Sequence, residues 1–119
     1  MKSLIIVAHG SKKKSSNDEV IEIVNSIKNK KPLYKNIEVS FLEFQSPSLE
    51  ESIEKCAKLK SDDIYIYPYF LNSGKHVTSD IPNIVKNLQL KYPKINLTLL
   101  PHFGKSKSVT DIILLDIEL

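Results

Sequence analysis

Three histidines and one glutamate stand where a chain of this pattern could use them together. His9 follows the apolar run "SLIIVA", Glu43 lies in "SFLEF", His76 follows "YPYFLNSGK" and His102 lies in "LLPHFG". Imidazole binds a proton or a first-row divalent metal near neutral pH, and a carboxylate completes such a ligand set while lowering its net charge. Two imidazoles and a carboxylate suit Fe²⁺, Co²⁺, Ni²⁺ or Zn²⁺. The residues are far apart in the chain, so no short motif such as H-E-x-x-H supports the reading. Each also has a plainer use. His9 could bond within the turn that Gly10 permits, and Glu43 could point outward from an edge strand. His76 could cap the next helix, and His102, between Pro101 and Phe103, could simply pack.

Other chemistries find less support. "HGSKKKS" has neither G-x-x-x-x-G-K-[ST] nor G-x-G-x-x-G, so nucleotide binding is disfavoured. Ser11 lacks a G-x-S-x-G elbow, and no cysteine–histidine pair is evident. Lys12, Lys13 and Lys14 read either as a solvated loop or as cations that meet a polyanionic ligand beside His9.

Whether the histidines meet depends on the elements that carry them. Two patterns alternate along the 119 residues. Residues 3–8 form a short, β-branched apolar run, the mark of a strand buried on both faces. Residues 15–31 follow with Val20, Val24 and Ile27 at helical spacing, Ile21 and Ile23 beside them, and Ser16 or Asn17 as cap. The second strand covers 37–44. The second helix covers 46–60, with Ser46 as cap and Pro47 in the first turn. The third strand covers 63–71, with Pro68 late in it. The third helix, 80–92, is opened by Asp80 and Pro82. A fourth strand (95–100) and a fourth helix (106–119) complete the series.

Strand–helix repeated four times predicts an α/β fold, (βα)4: a four-stranded parallel sheet flanked by helices on both faces, in a single domain spanning 1–119. Ligands of such sheets bind beyond the carboxyl ends of the strands. His9, Glu43, His76 and His102 all fall at that edge, with Gly74 as the pivot of the third loop. Ile112, Ile113, Leu114 and Leu115 give the last helix more apolar surface than one face can bury. A homodimer is therefore expected, the alternative being a helix wedged deep in its own domain.

Composition is that of an ordinary globular chain, 41% hydrophobic and 26% charged, with a net charge of +3. That balance is too weakly basic to imply nucleic acid, yet it suits a small anionic ligand. The one cysteine, Cys56, excludes an internal disulfide and reads as a small core residue, which fits a cytoplasmic protein. No apolar run reaches the roughly 20 residues of a membrane span, and the N-terminus lacks a signal-peptide pattern.

Taken together, "VAHGSKKKS", "SFLEFQSPSLEESI" and "YPYFLNSGKHVTSDIPNIV" resemble, in order and spacing, the CbiX/SirB-type sirohydrochlorin chelatases, above all the short single-domain form of CbiX. The P-[YF]-F-L-x-x-G-x-H-V-x-x-D-I-P pattern is the specific part, whereas H-G-S alone is weak. The resemblance implies half of a class II chelatase-like fold, acting as a homodimer. It also implies insertion of a divalent metal into sirohydrochlorin, a tetrapyrrole bearing many carboxylates. Cobalt would lead toward cobalamin and iron toward sirohaem, with no cofactor beyond the substrate ion, Co²⁺, Fe²⁺ or Ni²⁺. By the same resemblance His9, Glu43 and His76 hold or deliver the metal. Toward the C-terminus the match loosens: "PHFG" stands where the family often has P-x-L-G, and His102 is not carried over as a ligand.

On this reading the two histidines bind the ion and accept the pyrrole protons, and Glu43 completes the site. Ser11, Lys12, Gly74 and Lys75 face the substrate, with Tyr69, Phe70 and Leu71 as an apolar wall. The rival is a non-catalytic metal or tetrapyrrole carrier with the same residues.

Overall fold

The computed structural model describes residues 1–30 and 32–118. Four strands alternate with four helices: β1 (Lys2–Ala8), α1 (Lys14–Asn29), β2 (Asn36–Phe41), α2 (Leu49–Lys58), β3 (Asp63–Pro68), α3 (Ile81–Lys91), β4 (Asn96–Leu99) and α4 (Ser108–Ile117). The ends that the sequence assigns to the first and last helices, Lys31 and Leu119, lie outside the described residues. All pairings are parallel, in the order β2-β1-β3-β4. The expected (βα)4 sheet is thus observed.

Alternation along the strands sorts side chains between two cores. Ile5 and Val7 of β1 and Ile64 and Ile66 of β3 point to the face covered by α2 and α3, against Leu49, Ile53, Cys56, Ile81 and Val85. Burial pushes the Cys56 thiol up from its ordinary value, so it stays a protonated core group. Leu4, Ile6 and Ile37 point the other way, against Val24 of α1. Among the described residues, α1 is the helix whose side chains pack into that second core. Tyr65, Tyr67 and Tyr69 extend beyond its cover and are only partly buried.

Several helix starts differ from expectation. α1 begins at Lys14, so Ser16 and Asn17 sit inside it and neither caps it. Asn17 is instead buried. α2 is capped by Ser48, not Ser46, which leaves Pro47 outside the helix. The Ser48 hydroxyl accepts from the Glu51 N–H while the Glu51 carboxylate accepts from the Ser48 N–H. Asp80 makes no capping bond, and a five-residue π-helical turn, His76–Asp80, leads into α3. Pro82 does fall in the first turn of α3. β2 ends at Phe41, so Glu43 is a loop residue and not the outward residue of an edge strand.

α4 carries no buried residue. It packs chiefly on a short turn, Phe103–Lys105, and leaves Ile112, Ile113, Leu114, Leu115 and Ile117 exposed. The alternative of a helix wedged into its own domain is therefore excluded.

Candidate metal centre

His9 leaves β1 one residue past its end, where the chain turns at Gly10 with φ +91°. A Cβ on Gly10 would lie 1.8 Å from the Glu43 carbonyl oxygen, so only glycine lets the two loops approach this closely. Backbone bonds extend the β1–β2 pairing into this region: Leu42 N–H to the Ala8 carbonyl (3.0 Å) and Glu43 N–H to the His9 carbonyl (2.9 Å). These bonds bring Glu43 opposite His9 although the strand has ended.

Asn17 ties the same loops together from beneath. Its carbonyl oxygen accepts from the Ser11 N–H, and its amide donates to the Ser11 carbonyl and to Gln45 Oε1. A buried asparagine with its hydrogen bonds satisfied on two loops fixes their separation.

His76 arrives from the other side, on the first residue of the π-helical turn, and its ring lies 4.7 Å from that of His9. One ligand atom from each of His9, Glu43 and His76 can be chosen so that all three lie within 4.8 Å of one another. The sequence-predicted trio is thus brought together. His9 Nε2 is 3.4 Å from Glu43 Oε2, and both side chains are about half exposed. A cleft of about 330 Å³, lined by Leu42, Glu43, His76, Asp80, Asn83 and Ile84, opens beside them.

Hydrogen-bond partners settle which nitrogens are free. His9 Nδ1 lies 2.8 Å from the Gly10 carbonyl, which can only accept, so Nδ1 carries the hydrogen. His76 Nδ1 lies 2.8 Å from Asp80 Oδ2 and donates to it. In the neutral rings each Nε2 keeps its lone pair. His9 Nε2 then faces a carboxylate with one acceptor opposite another, an arrangement relieved by a proton or a cation between them. Asp80 and the Gly10 carbonyl stand behind the imidazoles and fix their tautomers, as outer partners do for histidines in metal sites generally.

The remaining predicted residues are dispersed. Ser11 spends its N–H and carbonyl on Asn17, and its hydroxyl accepts from the Lys13 N–H. The Lys12 ammonium lies 5.2 Å above the Phe44 ring. Phe70 approaches His76 at 6.1 Å and Leu71 is exposed. Tyr69 packs edge-on against Phe103 in an apolar groove with Leu4, Ile6, Ile23, Ile27 and Tyr67. Tyr69 and Phe70 thus do not form one wall. Gly74 and Lys75 are exposed. Gly74 is no conformational pivot: a Cβ there would meet nothing within 4 Å, and its φ is outside the left-handed range. Its carbonyl accepts from the Val77 and Thr78 N–H groups and starts the helical turn. His102 lies apart, in a separate cavity with Tyr67, Leu100, Pro101, Lys105 and Ser106.

Sequence reasoning missed three residues. Asp80 was legible, since "HVTSD" places it four residues after His76, one helical turn on. Asn17 offered only a weak signal, a polar residue of poor helical propensity just inside a helix. Nothing in the sequence marks Phe44.

Fold and site together define a chelatase-like α/β protein, an open parallel sheet with a two-histidine, one-carboxylate cluster beyond its strands. The CbiX family model matches residues 3–118, and the chain belongs to that family. It is 30% identical over 113 residues to a sirohydrochlorin cobaltochelatase of Sulfolobus acidocaldarius, covering 95% of this chain and 87% of that one. It is 29% identical over 118 residues to a sirohydrochlorin ferrochelatase of Priestia megaterium, 95% of this chain but 42% of the relative. Among solved structures, the sirohydrochlorin chelatase SirB of Bacillus subtilis subspecies spizizenii, in complex with cobalt, superposes with a TM-score of 0.86 at 27% identity. That match covers 98% of this chain and 50% of SirB. The chain therefore spans half or less of two of these proteins and most of the third.

Proposed function

We propose that this protein is a sirohydrochlorin chelatase, inserting cobalt or iron into sirohydrochlorin with no cofactor beyond the substrate ion. The observation that carries the reading is the convergence of His9, Glu43 and His76 in a chain of the CbiX family. Insertion must remove two pyrrole protons while the ion exchanges water for ring nitrogens. The free Nε2 atoms of His9 and His76 can do both tasks, binding the ion first and accepting protons as it leaves. Glu43, open to solvent, balances the cation's charge and passes protons outward. Lys12 and Lys75, with Ser11 and Gly74 nearby in the chain, face the substrate carboxylates; Phe70 and Leu71 offer apolar contact.

The test mixes purified protein with sirohydrochlorin and Co²⁺, Fe²⁺ or Ni²⁺ in parallel and follows the absorption spectrum. The chelatase accelerates the change over a protein-free control, and His76→Ala abolishes that acceleration while the protein stays folded. A stable bound spectrum without turnover identifies a carrier instead. Near-normal insertion by His76→Ala removes the histidine from the mechanism.

In this reading residues 1–119 form one chelatase-like unit and two copies pair. The apolar side chains of α4 and the groove beside Tyr67 and Tyr69 both need cover. The radius of gyration, 14.7 Å, exceeds the roughly 13.5 Å of a compact chain of this length. Sedimentation should give twice the chain mass, and Ile113→Glu should shift it to the monomer. Among the described residues no helix is long and apolar enough to cross a membrane.

A further inference from the structure

Phe44, the residue after Glu43, adopts a conformation that its own chemistry opposes. Its φ is +63°, in the left-handed region where a Cβ crowds the backbone and glycine is the ordinary occupant. The Gln45 N–H donates to the Glu43 carbonyl at 2.8 Å, closing a three-residue turn centred on Phe44, a rare and strained type. The residue is also 59% exposed, so burial offers little compensation. Instead the Lys12 ammonium stands 5.2 Å from its centroid, within cation–π range.

An exposed aromatic face and a cation are thus held together next to a metal-ligand carboxylate. The chemistry that matches them is a flat, conjugated molecule with anionic substituents at its rim. Resting on the chelatase reading above, we propose that Phe44 is a stacking platform for the tetrapyrrole. Its ring lies against the macrocycle while Lys12 turns from it to a peripheral carboxylate. Offset stacking fixes the plane of the macrocycle relative to His9 and Glu43. A site that bound the ion alone would gain nothing from this ring.

Phe44→Gly separates the possibilities, since glycine accepts the backbone conformation and removes only the ring. Equilibrium binding of metal-free sirohydrochlorin should weaken about tenfold, with Co²⁺ affinity unchanged and the melting temperature unchanged or raised. Phe44→Tyr should restore macrocycle binding. Unaltered macrocycle affinity in Phe44→Gly would overturn the proposal, and so would a parallel loss of Co²⁺ affinity, which would make Phe44 a support for Glu43. A wild-type protein that binds no sirohydrochlorin also overturns it. Failure of the chelatase reading looks different: the wild type binds the macrocycle but does not speed metal insertion.

Discussion

Compared with His76, which rises from a helical turn, His9 and Glu43 sit on loops with no regular structure of their own. The loop pair is held by close backbone approach. Gly10 abuts the Glu43 carbonyl, Glu43 N–H bonds to the His9 carbonyl, and Asn17 bridges Ser11 and Gln45. The helical turn is held by its own ladder, and its histidine is aimed by one side chain, Asp80. A loop must borrow rigidity from neighbours, so many contacts act together there. A helical turn brings rigidity with it and needs one partner for orientation. Damage to the first support should therefore spread through the site, whereas damage to the second should stay local.

Gly10→Ala breaks the first support most severely. The new Cβ would need to occupy space 1.8 Å from the Glu43 carbonyl at a φ of +91°, and the strain of such backbone is about 1–3 kcal/mol. The loops must separate, carrying Glu43 away from His9. Co²⁺ affinity should fall about 100-fold, the upper end for loss of a supporting contact. The melting temperature should fall with it. Retained affinity in a titration with the metal alone would show that the loops tolerate separation.

Asp80→Ala tests the second support. It leaves His76 on its turn and removes the acceptor for Nδ1–H, freeing the ring to rotate and exchange tautomers. Metal affinity should fall about tenfold, with little change in thermal stability, because both side chains are about one-third exposed and exposed pairs stabilise weakly. Asp80→Asn keeps an acceptor oxygen and should recover part of the loss. A larger effect on melting than on Co²⁺ binding would recast Asp80 as a support for α3.

The same contrast explains what could be read from the chain. Regular elements announce themselves by periodicity: the run of residues 3–8 became β1, and Val24 of the helical stripe became the buried residue facing the sheet. The strand–helix order alone places His9, Glu43 and His76 at one edge of the sheet. Helix starts were less legible, since "SPS" offers two serines and only the backbone path decides that Ser48 caps. Least legible was the loop pair. Asn17 has the residue type of a cap, yet it is buried and bonds to Ser11 and to the distant Gln45, which no local pattern encodes. Phe44 looked like an ordinary strand residue in "SFLEF", yet β2 ends three residues earlier. Tertiary contacts between loops leave no period in the sequence.

The Glu43 loop has a second end, and the smallest effect should come from there. Phe41 N–H bonds to the Pro47 carbonyl at 2.9 Å, and the Ser48–Glu51 capping box then starts α2. Ser48→Ala should cost about 1 kcal/mol of stability, as lost N-caps do. Co²⁺ affinity should not change if Gly10 and Asn17 alone hold Glu43. The Glu51 carboxyl adds a pH signature. The Ser48 backbone N–H, and then its hydroxyl, hold it below its ordinary value of 4.5. A depressed carboxyl stabilises the fold fully above its unfolded value and loses that contribution as pH falls through the folded one. Melting curves of wild type and Glu51→Gln should therefore differ at neutral pH and converge as the pH falls through the depressed value. Loss of Co²⁺ affinity in Ser48→Ala would show that the Glu43 loop is held from both ends, and the division between a backbone-clamped and a helix-borne side of the site would have to be redrawn around α2.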